Sequence, residues 1–249
     1  MIRLSEVATP SQKDNRLNLT NTFSINPDTI LRILVYILLL LLGIELTLLF
    51  FTYYLNYNTR LFTLIQGFFD FDKEANFPTL FSTLLLLFAS LLLLFIYKSA
   101  SSKKIYWLFL SGLFMFLCLD ESAQIHEKFD KIKSRVDLID NSALAHAWVL
   151  PYSALVIFLI IFLRNFLLSL PANTRNLFIV SGVIFVTGAL GIEIIEGQLK
   201  VLNGGMDNLT LNLLYCAEET CEMAGVILFI WALLRYIASN TPSISIRID

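Results

Sequence analysis

Residues 30–55 read "ILRILVYILLLLLGIELTLLFFTYYL", with Arg32 and Glu45 as the only side chains carrying full charge. An α-helix crosses the roughly 30 Å hydrocarbon core with about 20 predominantly apolar residues, and this stretch exceeds that length. Residues 77–97, "FPTLFSTLLLLFASLLLLFIY", repeat the pattern. Over the 249 residues, 57% are hydrophobic and 15% charged, well below the roughly 25% charged of a soluble domain. The fold class predicted is therefore all-α, a polytopic membrane helical bundle of about six transmembrane helices.

Long apolar segments place the spans at about 30–56, 77–98, 104–130, 143–165, 175–199 and 209–237. The chain divides accordingly into a polar N-terminal segment (1–28), one bundle (29–237) and a short tail (238–249). Residues 1–28 lack the short apolar run and cleavage site of a removable signal, so the first span is expected to act as an uncleaved insertion signal. Between the first two spans, residues 60–75 are apolar but short and end in acids before Pro78, which predicts an interfacial segment. Eleven of the 18 Lys and Arg residues fall on the N-terminal side of the bundle if all six spans cross. That bias puts both termini in the cytoplasm.

Glu45 is not alone. At 1.5 Å per residue, Asp120 lies about 24 Å across the membrane from Lys104, and His126 about 33 Å. Glu193 and Glu196 lie about 27 and 32 Å from Arg175; Glu222 and Glu218 about 20 and 26 Å from Arg235; His146 about 27 Å from Arg164; Glu45 about 20 Å from Arg32. Five spans thus offer ionisable groups to one layer in the outer half of the bilayer. Helical spacing turns these groups inward together: Glu193 with Glu196, Glu218 with Glu222, Glu219 with Glu222, and Asp120 with Gln124 and Glu127. His126 stands about 120° round from Asp120. Below the acids, Gly182 and Ala189 share the face of Glu193, and Gly225 follows Glu222, an arrangement that predicts close helix approach.

Each charged side chain at this depth costs at least about 2.5 kcal/mol, and like charges raise one another's cost. The sequence places no Lys or Arg within the layer, so protons, metal cations, water or a basic partner must neutralise it. Carboxylates with one or two imidazoles, projecting from facing helices, suit iron, manganese, zinc or calcium. The candidate ligands are Asp120, His126, Glu193, Glu196, Glu218, Glu219 and Glu222, with Glu45, Glu121, Glu127 and His146 as further candidates. A metal at this depth would act on a lipid-like or quinone-like substrate. Two alternatives stand beside it: a proton or cation transporter, against which the apolar lower halves of the spans argue, and a structural or accessory subunit of a membrane complex. Singly, Glu45 and His146 read as packing residues, and Glu121 and Glu127 as headgroup-region acids beside Lys128 and Lys131.

Cys118, Cys216 and Cys221 are odd in number, and "CAEETC" lacks C-x-x-C spacing, so they read as small core residues. No phosphate-binding glycine loop, hydrolase elbow or basic nucleic-acid stripe occurs, which excludes a nucleotide cofactor and a nucleic-acid partner.

The acid pattern loosely resembles the ferritin-like di-iron carboxylate arrangement, but E-x-x-H is absent and two helices would use E-x-x-E. Its oxygen chemistry therefore does not carry over. "LDESAQIHEKF" with "EETCEMAG" resembles a group of multi-span bacterial membrane proteins without an assigned activity. The resemblance covers the last four spans and rests on D-E-x-x-x-x-H-E and E-E-x-x-E-M-x-G. It implies importance for those positions and a bacterial inner-membrane location, and it names no reaction.

Overall fold

Six helices of the computed structural model are long and apolar enough to cross a membrane, which makes this a multi-pass membrane protein. The structure describes residues 26–125, 149–204, 206 and 208–240, and among these it contains no strand. In chain order the helices are α1 (Pro27–Tyr54), α2 (Arg60–Phe69), α3 (Phe77–Ser99), α4 (Lys104–Ala123), α5 (Val149–Leu168), α6 (Ala172–Val186), α7 (Glu193–Leu202) and α8 (Leu209–Asn240). A π-helical segment, Thr187–Ile192, joins α6 to α7, so the three form one rod.

The helix starts follow from local chemistry. Asn26, Thr59 and Asn76 each accept a hydrogen bond from a backbone N–H of the first turn of α1, α2 and α3. Pro27 and Pro78 occupy first-turn positions where a missing N–H costs nothing.

α8 is the hub: α1, α3, α6, the π segment and α7 all pack on it, while α4 packs mainly on α3. Two reciprocal hydrogen bonds tie α3 to α4: the Ser90 hydroxyl donates to the Ser111 carbonyl at 2.8 Å, and Ser111 returns the bond at 3.0 Å. In lipid, such small polar residues let backbones approach and satisfy their own donors. Two further ties fix the antiparallel register of α1 against α8. Trp231 Nε1 donates to Asp28 Oδ1 at 2.8 Å at one end, and Asn212 Nδ2 donates to the Tyr53 hydroxyl at 3.1 Å at the other.

Aromatic rings fill the half of the bundle nearer Asp28. Trp107 meets Phe166 at 4.9 Å, and Phe229 lies between Phe178 at 4.6 Å and Phe114 at 4.8 Å. α5 rests on α4 through rings as well, Phe162 touching Tyr106 and Phe109 at 5.3 and 4.9 Å. Large apolar side chains such as Leu39, Leu40, Ile160 and Ile161 are exposed, as lipid-facing positions require.

Among the described residues the predicted spans agree with these helices to within a few residues except in the third; residues 143–148 of the fourth lie outside the described ones. α4 ends at Ala123, because Gln124 adopts a left-handed conformation (φ 54°, ψ 46°) and turns its N–H back to the Asp120 carbonyl. Gln124 therefore leaves the helical face it was expected to share with Asp120. Glu127, His126 and His146 lie outside the described residues. The interfacial segment is also more structured than expected. Only 60–69 form the surface helix; beyond it the chain turns inward and buries Asp70, Phe71 and Asn76. Asn76 Nδ2 donates to the carbonyls of Asp70 (2.6 Å) and Lys73 (2.8 Å) and so closes that turn.

Candidate functional site

The site is built where the rod of α6 and α7 crosses α8, and glycine sets the separation. A Cβ on Gly188 would lie 2.7 Å from the Glu218 carbonyl oxygen and 3.1 Å from Glu222 Cγ. One on Gly225 would lie 2.8 Å from the Phe185 nitrogen and 2.9 Å from the Ser181 carbonyl oxygen. Both contacts are closer than any side chain tolerates, so the two helices meet backbone to backbone. Gly225 thus occupies the close approach its spacing suggested. Gly182 does not: it is exposed, with nothing within 4 Å of its Cβ position. The contacting face runs through Ser181, Phe185 and Gly188 instead.

The π segment determines what comes next on that face. A regular α-helix would bring Gly191 or Ile192 round after Gly188, three or four positions on. The π segment takes an extra residue into its turn, and that places Glu193 and Glu196 toward α8. Single π turns of this kind recur at functional sites.

Glu193, Glu196 and Glu218 converge there, each offering a carboxylate oxygen that lies within 4.8 Å of the others. Glu218 and Glu193 share a hydrogen bond, and Glu196 is 3% exposed. Carboxyl groups this close cannot all carry charge unless a proton or cation lies between them. Glu222 is electrostatically coupled to Glu218 and Glu219, and Glu219 in turn to Glu121 and Glu196. Asp120 is 5% exposed and accepts a hydrogen bond from the Tyr152 hydroxyl of α5, which also feels the charge of Glu222. Asp120, Glu121, Glu193, Glu196, Glu218, Glu219 and Glu222 thus occupy one polar region.

Glu45 comes from α1, which also packs on α8. It is 1% exposed, interacts with Asp70 and Lys73, and its Oε2 has no hydrogen-bond partner among the described residues.

Five contributors were not read from the sequence. Tyr152 stands in an apolar run, and its bond to Asp120 joins residues 32 positions apart. Gly188 acts only through the π offset. Asp70 and Lys73 belong to the turn that folds inward, where Lys73 Nζ meets Asp70 Oδ2 at 2.7 Å. That hydrogen bond holds the Lys73 ammonium above the ordinary lysine range. Lys200, one turn beyond Glu196, donates to the Tyr215 hydroxyl at 3.2 Å, one turn from Glu218. Two lysines therefore stand near acids, Lys73 beside Asp70 and Glu45, and Lys200 one turn from Glu196. All three cysteines are free thiols, Cys118 and Cys216 buried and Cys221 half-buried.

A domain of unknown function, DUF8692, matches residues 32–237, from the first turns of α1 to the last turns of α8. The chain belongs to that family. Comparison with curated proteins and with solved structures finds no match.

Proposed function

We propose that this DUF8692 member binds a divalent metal ion through Glu193, Glu196 and Glu218, in a chamber in the outer half of the bilayer. The observation that carries this reading is the convergence of three carboxylate oxygens within 4.8 Å of one another, with Glu196 almost wholly buried. Carboxylates gathered at membrane depth need a counter-charge, and oxygen donors from two helical segments suit a hard or borderline ion: manganese, iron or calcium before zinc. Glu222, Asp120 and Glu219 complete the acid wall and can serve a second ion. Bound there, a metal would supply Lewis acidity or an activated water at lipid depth.

The chain's own residues do the rest. Gly188 brings α8 close enough for Glu218 to meet Glu193, and the π segment turns Glu193 and Glu196 toward it. Tyr152 holds Asp120 and encloses the chamber from α5. The substrate class that fits is lipid-like or quinone-like, since the site lies among spans. A transmembrane cation route is disfavoured by the other half of the bundle, where Trp107, Phe178, Phe229, Ile230 and Leu233 are packed and buried.

Metal analysis of the purified protein tests the reading. Wild type should retain an ion through dialysis, and Glu196→Gln and Glu218→Gln should not. Proteoliposome flux of protons or divalent ions that depends on Glu218 would favour transport instead.

A further inference from the structure

The end of the bundle nearer Asp28 carries the opposite chemistry from the acid chamber. Lys98 lies in the last turn of α3, Lys103 caps α4 and Lys104 begins it, so one short turn presents three ammonium groups. That turn is fixed at both ends. The Ala100 N–H donates to the Ile96 carbonyl at 2.8 Å, and the Tyr106 N–H to the Lys103 carbonyl at 3.1 Å. The reciprocal Ser90 and Ser111 bonds hold the two helices together below it. All three lysines are exposed, and none forms an ion pair with a carboxylate. Lys104 Nζ stands 5.9 Å from the centre of the Tyr97 ring. Among the described residues Asp28 is the one acid at this end, and its Oδ1 already accepts from Trp231. Apolar surface begins at once beside these charges: Phe95, one turn before Lys98, and Ile105 and Leu108, in the first turns of α4, are exposed side chains of spanning helices. The lysines therefore stand where acyl chains give way to headgroups.

We propose that the corner between α3 and α4 binds an anionic phospholipid, its phosphate on Lys98, Lys103 and Lys104 and its acyl chains along Phe95, Ile105 and Leu108. Three cations without a counter-charge raise a local positive potential that draws an anion. A phospholipid with net negative charge supplies it, whereas a zwitterionic one returns an ammonium group to the same place. The exposed hydroxyls of Ser101 and Ser102, in the same turn, can donate to phosphate oxygens. Apolar side chains beside the charges favour a lipid over a water-soluble phosphate, because only the lipid covers them. Each lysine contributes about fivefold in affinity, an effect that salt screens. The corner lies at the end of the bundle away from Glu193, Glu196 and Glu218, so it acts whatever those acids hold.

Native mass spectrometry of the purified full-length protein in neutral detergent provides the test, with phosphatidylglycerol, phosphatidylcholine and acyl-free glycerol phosphate as probes. Phosphatidylglycerol should bind wild type about tenfold or more tighter than phosphatidylcholine, and glycerol phosphate should not displace it. Lys98→Gln, Lys103→Gln and Lys104→Gln should each weaken phosphatidylglycerol about fivefold, and the triple variant roughly a hundredfold. Because the three side chains are exposed, the unfolding temperature in lipid-free detergent should not change; the single variants carry the test if the triple one fails to fold. Arg32→Gln Arg164→Gln Arg235→Gln removes the same charge from exposed positions spread over the same end and should cost less than about tenfold. Equal binding of the two lipids, displacement by glycerol phosphate, or corner variants that bind like wild type would each overturn the proposal. Equal losses from the two triple variants would overturn it as well, by showing attraction to the whole end and no site at the corner.

Discussion

Glu218 and Glu193 share a hydrogen bond across an interface at which Gly188 leaves no room for a Cβ. Two carboxyl groups on different helical segments are brought together by the absence of one methyl group, so the geometry of the acids depends on a residue with no chemistry of its own.

Gly188→Ala is expected to force the rod of α6 and α7 away from α8. The new methyl would meet the Glu218 carbonyl oxygen at 2.7 Å. Overpacking of this kind costs about 1–3 kcal/mol, and it should lower both thermal stability in detergent and metal content. Gly182→Ala, by contrast, meets nothing within 4 Å and should leave stability unchanged or raised by up to about 1 kcal/mol. Thermal unfolding of the two variants side by side distinguishes them.

Deleting Leu190 removes the extra residue of the π turn, so regular helix sets Glu193 four positions after Gly188 and keeps it on the face toward α8. The expected result is full helical content by circular dichroism with bound metal retained. Loss of metal would show that the wide turn itself, and not only the register it sets, shapes the site.

Tyr152→Phe leaves Asp120, 5% exposed, without the hydroxyl that donates to it. Removing one hydrogen bond from a buried carboxyl group costs about 1–3 kcal/mol. The double variant with Asp120→Asn should cost less than the sum of the singles, and a thermodynamic cycle on the four proteins measures the coupling. Additive losses would mean that the bond contributes nothing.

The spans were legible because hydropathy over twenty residues is a strong signal: runs such as 30–55 leave few alternatives, and the observed helices follow them within a few residues. The meeting of Glu193 and Glu196 with Glu218 was legible for the same reason, since a fixed rise per residue converts sequence distance into height. What sequence could not supply was rotation. An α-helical period carried through 187–192 puts Ala189 and Gly182 on the face of Glu193, whereas the π turn puts Gly188 and Ser181 toward α8. The end of α4 escaped in the same way. "DESAQIHE" reads as continuing helix until Gln124 takes a left-handed conformation, a backbone choice that glutamine does not announce. Tyr152 was missed because its partner Asp120 lies on another helix, whereas Lys73 is only three residues from Asp70 and what sequence did not show was the burial of that turn.

Metal stoichiometry tests the central claim most directly. Purified protein, loaded with manganese or iron(II) and dialysed, should retain about one ion or more per chain. Glu193→Gln, Glu196→Gln and Glu218→Gln should each lose it with helical content unchanged, while Glu121→Gln keeps it. Wild-type protein that retains no ion after loading, or a Glu196→Gln Glu218→Gln double variant that binds as much as wild type, would contradict a metal site at these carboxylates.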